Sequence, residues 1–480
     1  MGFYLNAAFW FLVGAVPAAY YLPRISEFQA RRVALFFLVV GAGGLLIRSV
    51  EVFFLFFGIA VLGFAGTKKL GILYPAFLFA VPSGVSYRIP FPGLNYLVDL
   101  NPNVLLSLVA IPAILAGREK TPRNSIGTII LIWSTVECVL IARGTNQTAT
   151  NILRYASISL LENYVPFLLV AKYISHSAAF RACIHYFGVA ALLIAAIGIW
   201  FKLRGWDIYT AIVGRGGGGM MSRGGVLRSG VTVPAVLYGY LAILGGAVLL
   251  AYRKLQAKRS LLLVWVGISI AALFFSTSRG AIFALIIWSG SFYVYTRENR
   301  AQRNTLYIMT AIASFFIISA SAALDFSAID PYGTFAYRQL LIEVSLVQFF
   351  EHPLFGQVDY IETERFDVLL QGQGIVDIVN SFIAVGLMFG LAGLVPFVLL
   401  FILPIQMVLK TSRTIPEDAL GEGLNARQIG HGLAATITGY AALLMTVSMV
   451  SYIQTLIFIF AAFAVAYRQV GRNAELAERT

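Results

Sequence analysis

Three arginines and two carboxylates stand where they could do chemistry. Arg228 precedes an apolar run that begins near 231, Arg279 opens another near 281, and Arg338 lies on the long segment 324–379 between runs. A guanidinium presents a planar fork of donors that matches phosphate oxygens. Asp377 and Asn380 open the apolar run 380–409, and Glu343 follows Arg338 on the same segment. A carboxylate near a bound anion is a candidate general base. A helix N-terminus adds unpaired N–H groups and a partial positive charge, which favour anions. If the runs near 231, 281 and 380 start side by side, their ends and two arginine forks form a pocket for a diphosphate without a metal. Arg338 would close that pocket from above.

Each of these residues also has a purely structural explanation. Arg228 and Arg279 suit snorkelling to lipid headgroups, and Arg338 suits a surface anchor. For Arg279 the anchoring explanation is weaker: a charge near the hydrocarbon boundary costs up to roughly 3 kcal/mol, and no acidic partner is near in sequence. Asp377 has the type and place of a helix N-cap. Asn380 is either interhelical glue or a sugar contact. His352, in Glu351-His352-Pro353-Leu354, reads as a turn or capping residue. Tyr87, Tyr96 and Trp206 fit an interfacial aromatic belt better than sugar stacking. The stretch Gly214–Gly219 reads as a mobile loop, not a phosphate cradle.

The elements that must position these residues are apolar. The chain has 480 residues, 59% of them hydrophobic and only 12% charged, with a mean hydropathy of +0.82. Soluble domains keep about a quarter of their residues charged, so an ordinary cytosolic enzyme is excluded. A helical span needs roughly 20 mostly apolar residues, and the runs at 5–22, 33–47, 52–66, 70–83, 103–117, 125–142, 155–171, 183–201, 231–252, 261–275, 281–296, 305–323, 380–409, 431–449 and 452–467 supply about 12–15 of them: an all-α, polytopic integral membrane protein. A net charge of +13 would suggest nucleic acid for a soluble protein; here it marks basic cytoplasmic loops, and no nucleic-acid partner is expected. With residue 1 outside, strict alternation puts most basic residues in the cytoplasm and the C-terminus there too. The exceptions gather outside, in the 202–230 loop, at Arg279 and at Arg338. Cys138 and Cys183 lie in apolar stretches and make neither a disulfide framework nor a metal cluster. The first apolar run lacks the basic flank and cleavage site of a removable signal.

The chain divides into an N-terminal membrane region (1–230), a region carrying the Arg279 turn (231–323), an extracytoplasmic loop (324–379) and a C-terminal membrane region (380–480). Within the loop, Thr334 to Glu351 reads as an amphipathic helix: Tyr337, Leu340, Leu341, Val344 and Val347 recur at helical spacing, and Pro353 and Gly356 end it.

On four features the chain resembles the O-antigen ligase and O-antigen polymerase superfamily of bacterial surface-glycan enzymes. Ser276-Thr277-Ser278-Arg279-Gly280-Ala281 resembles its S-R-G turn. Arg338, with Glu351-His352-Pro353-Leu354-Phe355-Gly356, resembles its R…HPLxG segment. Asn380-Ser381-Phe382-Ile383 through Gly386, with Gly390-Leu391-Ala392-Gly393-Leu394, resembles its N-x-[YF]-L…G-L-x-G-L span. Arg228 with Gly239 resembles the R-x10-G pattern of polymerases, and Arg279 with Gly290 repeats the spacing.

The resemblance implies a fold like the GT-C glycosyltransferases in a bacterial inner membrane, and glycan transfer from a polyprenyl-diphosphate carrier to a sugar hydroxyl. It implies no metal or cofactor. Implied partners are the lipid-linked oligosaccharide, membrane lipid, and chain-length regulator and flippase proteins. Ligases of the family carry a histidine directly before the matching asparagine; here that residue is Val379, which favours a polymerase. The implied roles are diphosphate binding by Arg279 and Arg338, orientation of donor or acceptor by Arg228, and proton abstraction by Asp377, with Glu343 as second choice and Asn380 in the substrate site. Rival readings are ligase-type transfer, a lipid-linked glycan flippase and a non-catalytic envelope scaffold. Transporters usually show internal repeats and charges near the membrane midplane; the sequence reads as having neither, its charges collecting at one face.

Overall fold

Helix starts follow their capping residues. Asn124, Thr148, Ser278, Asn380 and Asn425 each place a side-chain oxygen on a backbone N–H two or three residues ahead, which satisfies a donor the first turn leaves open. A computed structural model describes residues 62, 68–78, 87–89, 99–116, 124–145, 147–205, 221–223, 226–228, 230, 233–252, 259–297, 334–370, 374, 376–421, 423–448 and 452–479. In chain order the helices are α1 (Lys68–Leu78), α2 (Pro102–Ala116), α3 (Ser125–Ile141), α4 (Ala149–Ser159), α5 (Val165–Tyr173), α6 (Ser177–Arg204), α7 (Ala235–Ala251), α8 (Arg259–Ser276), α9 (Arg279–Tyr295), α10 (Thr334–Glu351), α11 (Ser381–Thr414), α12 (Ala426–Leu444) and α13 (Tyr452–Arg479). A π-helical turn, Leu160–Tyr164, joins α4 to α5. Among the described residues the strands form two short antiparallel pairs, β1 (Tyr87–Arg88) with β2 (Asp99–Leu100) and β3 (Met221–Arg223) with β4 (Val226–Arg228).

The architecture is therefore all-α. Within it, Ser177–Arg204, Ser381–Thr414 and Ile453–Ala477 are long and apolar enough to cross a membrane. The innermost element is α13, whose residues Leu456 to Tyr467 are buried along their whole length, as expected of a helix apolar on all sides. Trp133 of α3 packs edge-on to Phe389 and against Phe397 of α11, with ring centroids 5.8 and 5.2 Å apart. Large apolar side chains also face outward: Val139, Leu263, Phe274, Ile286 and Phe350 are more than half exposed. In water such surface would drive association; against hydrocarbon it costs nothing.

The apolar runs expected at 103–117, 125–142, 183–201, 231–252, 261–275 and 281–296 all form helices close to those bounds. Two runs differ. The run 155–171 is split by the π-turn, and 380–409 is interrupted at Gly390, where φ is 59° and ψ −156°. The runs 5–22, 33–47, 52–66 apart from Leu62, and 305–323, together with Gly214–Gly219, Tyr96 and Trp206, lie outside the described residues.

Candidate functional site

The turn that carries Arg279 is built by hydroxyls. Ser276 Oγ donates to the carbonyl of Leu273 (2.6 Å) and accepts from Ser278 N (3.2 Å), while Ser278 Oγ caps α9 through Ala281 N (3.3 Å). Thr277 holds φ of 47°, a left-handed conformation that costs a non-glycine residue about 1–3 kcal/mol. The strain reverses the chain sharply and leaves the Arg279 side chain exposed at the first position of α9. Gly280 then lets α9 approach its neighbours: a Cβ there would lie 3.2 Å from Thr446 Cβ and 3.4 Å from Val236 Cγ1. Gly239 of α7 faces the same turn, where a Cβ would meet Ser276 Oγ at 2.7 Å. That gives Gly239 a packing reason of its own. A Cβ at Gly290 would meet nothing, so the Arg279–Gly290 spacing has no equivalent one.

Residues 445–448, which follow α12, gather the remaining parts. Thr446 packs on Gly280. The carbonyl of Val447 accepts from Ser381 Oγ (2.8 Å), and Ser448 Oγ donates to Asp377 Oδ1. The first turns of α7, α9 and α11 thus meet at one end of the bundle. Asp377 is fixed from the other side by Tyr337 of α10, whose hydroxyl donates to the Asp377 carbonyl (2.9 Å) and accepts from its N–H (3.2 Å). Arg338, half-buried, is the next residue along. Asp377 is not the helix N-cap: Asn380 is, accepting from Phe382 N (3.0 Å) and Ile383 N (3.2 Å).

What holds α10 over α11 is the interruption at Gly390. There Leu391 N and Ala392 N lose their α-helical acceptors and donate instead to the carbonyls of Pro353 (2.8 Å) and Leu354 (2.9 Å). The freed carbonyl of Leu387 accepts from Gln357 N (2.8 Å). Gly356 (φ 62°) and Gly390 (φ 59°) face each other: a Cβ on Gly390 would sit 2.5–2.6 Å from Leu354 and Gly356 backbone atoms. The His352–Gly356 turn is therefore docked by backbone into a broken helix. A small satellite core of Leu341, Tyr360, Phe366, Leu369, Ile378 and Leu387 lies beneath the segment. Arg365 grips Glu351 with two bonds (2.6 and 2.7 Å), and holds that carboxyl below the usual range. Burial pushes the Tyr360 phenol up. Asp359 Oδ2 accepts from the N–H and hydroxyl of Thr145 (2.7 and 2.8 Å), tying the segment to the loop after α3.

Between α10 and α11 lies an open cavity of about 260 Å³, lined by Ile342, Leu346, Phe349, Leu387, Ser345 and Asn380 among others. Its wall is apolar apart from Ser345 and Asn380. No family model matches the chain, and no curated protein matches it either.

The expected site residues divide into two groups. The structure gathers the turn of Arg279, the Tyr337–Arg338 turn of α10, Asp377 and Asn380 around residues 445–448. It does not bring Glu343 there: that side chain is exposed six residues beyond Tyr337 and accepts from Gln339 Nε2 (3.1 Å) on its own helix. Arg228 ends β4, close in sequence to the start of α7. On the amphipathic helix, Leu341 is buried as expected, but Leu340 and Val347 are exposed and the inner face carries Ser345 and Gln348 instead. Two groups escaped the sequence reading. One is Thr446–Ser448, unremarkable residues that become connectors only through tertiary contact.

The other is a pair of carboxylates, Glu137 and Glu162, inside runs read as free of charge. Glu137 is buried on α3 and Glu162 sits in the π-turn. The expectation that charge collects only at one face is corrected here. The signal was present, because an ionisable residue within an apolar run is a functional candidate by default.

Proposed function

We propose that this protein is a polysaccharide polymerase of the O-antigen ligase and polymerase type, transferring a glycan from a polyprenyl-diphosphate carrier to an acceptor sugar hydroxyl at the outer face of a bacterial inner membrane. The observation that carries the reading is the meeting of the α7, α9 and α11 first turns at residues 445–448, with an exposed arginine at the start of α9. Helix N-termini and guanidinium groups together favour a diphosphate. The fold in this reading is a polytopic, GT-C-like bundle with the N-terminus outside.

In the reaction the acceptor oxygen attacks the anomeric carbon, the carbon–oxygen bond to the diphosphate breaks, and the leaving diphosphate keeps the electron pair. Attack opposite the leaving group inverts the anomeric centre. Arg279 and Arg338 neutralise the charge that develops on the diphosphate, and Arg228 orients donor or acceptor. The acceptor proton passes to Asp377, whose Oδ1 is held by Ser448. Asn380 spends its carbonyl oxygen on the helix cap and so offers its amide N–H groups to the α10–α11 cavity. Val379, standing where ligases of the type carry histidine, favours polymerisation over ligation.

Arg279→Ala and Arg338→Ala proteins should insert normally and make no long glycan. Near-normal chain length from both would refute the assignment, and full activity of Asp377→Asn would remove that residue as the base.

A further inference from the structure

A second polar site lies away from the arginines, where α2, α3, the π-turn and α13 meet. Glu137 of α3 is 4% exposed, and neutral donors fill its carboxylate. Oε1 accepts from the Tyr155 hydroxyl (3.2 Å) and Gln454 Nε2 (3.3 Å), and Oε2 accepts from Ser159 Oγ (2.7 Å). Three donors and no acceptor suit an ionised carboxylate. Glu162 accepts from Asn101 Nδ2. Among the described residues no cation pairs with either glutamate, and a charge in apolar surroundings calls for a counter-charge.

An independent feature points to what supplies it. Asn163, 1% exposed, donates through Nδ2 to Ser159 Oγ (3.1 Å), one hydroxyl away from Glu137. Its carbonyl oxygen is buried and has no donor. Each oxygen-bearing group here is hard: two carboxylates, an amide carbonyl and hydroxyls, with neither histidine nor thiol among the partners. Such donors select hard cations. Among the described residues no group of three or more acidic, histidine or cysteine side chains that could hold a metal ion exists; a divalent site usually gathers more charged oxygen ligands than the two here, so the ligand count points to a monovalent ion.

We propose that Glu137, Glu162 and the Asn163 carbonyl oxygen bind a sodium-like monovalent cation. The π-turn makes the site: its widened ladder sets Glu162 and Asn163 side by side against α2 and α3. Gln454 of α13 and Ser159 of α4 both donate to Glu137 of α3, so the bound ion would join helices distant in sequence.

The test uses the purified full-length protein in detergent, with sodium chloride exchanged for choline chloride at constant ionic strength. A ligand that binds the folded state alone raises Tm saturably. Sodium should do so, and Glu162→Gln should raise the half-saturating concentration by about tenfold, the weight of about 1.4 kcal/mol. Binding of radioactive sodium to the unaltered protein, displaced by unlabelled sodium and not by choline, gives the same answer should variants fail to fold. Equal Tm in sodium and choline with no sodium bound would overturn the site. So would a Tm that follows pH but ignores sodium, since the counter-charge would then be a proton.

Discussion

At Gly390 the ladder of α11 opens toward a surface segment, and the backbone of Pro353, Leu354 and Gln357 fills the gap. At Leu160–Tyr164 the ladder between α4 and α5 widens instead toward the interior, and side chains fill it: Ser159, Glu162 and Asn163 turn to Glu137, Asn101 and each other. The first re-satisfies the backbone groups it frees, as apolar surroundings demand; the second leaves the Asn163 carbonyl oxygen without a donor. The first uses backbone and fixes a position, holding α10 above the ends of α9 and α11. The second uses side chains and creates chemistry, with two carboxylates, Glu137 buried on α3 and Glu162 in the π-turn. A helix break can therefore serve as an anchor or as a site, and the partner's chemistry tells which.

The anchor should be the more brittle. Gly390→Ala places a Cβ against Leu354 and Gly356 backbone in a left-handed conformation, and should cost at least about 3 kcal/mol. The folded yield in detergent reads this, and a near-normal Tm would show that the Pro353–Gln357 docking is dispensable. Arg279→Ala separates position from chemistry at the same end of the molecule. Removing one charge-stabilising group should slow transfer by about 10²–10³-fold while the free energy of unfolding stays within about 0.5 kcal/mol of the parent.

The interior break should answer differently. Glu137→Ala leaves Ser159, Tyr155 and Gln454 without their acceptor, and should cost about 1–3 kcal/mol in thermal unfolding. Glu137→Gln, which keeps one acceptor oxygen, should cost less. If both variants were as stable as the parent, the buried network would be ornamental. The smallest effect is expected at the surface. Arg365→Ala removes an exposed pair with Glu351, worth little. Because Glu351 is held below its ordinary range, the pair's contribution is complete above the unfolded carboxyl's pKa and fades as pH falls through the folded one. Comparing Tm of parent and variant between neutral and acidic pH should show the gap closing on acidification.

Much of this arrangement was legible in the chain. Ser278, Asn380 and Asn425 cap helices through local bonds that follow from residue type and neighbours, although the sequence reading placed the cap of α11 at Asp377 instead of Asn380. Apolar runs gave helix bounds within a few residues because burial repeats with the helix. Gly356 and Gly390 were visible as glycines, yet their apposition, about 34 residues apart, is a tertiary fact. The π-turn left no mark: Leu160–Tyr164 continues a helical pattern, and only packing against Asn101 and Glu137 shows the widened ladder. Glu343 was legible as a carboxylate near Arg338, but its exposed side of α10 was not, because Ser345 and Gln348 face inward where apolar periodicity puts leucine and valine.

Lengthening of a lipid-linked glycan is the activity proposed above. Purified protein mixed with a polyprenyl-diphosphate-linked oligosaccharide in detergent, and analysed for product length, tests it most directly. The account predicts longer glycans on the lipid carrier, abolished by Arg279→Ala. Oligosaccharide recovered at its original length from active, folded protein, or carried across a liposome unaltered, would contradict it.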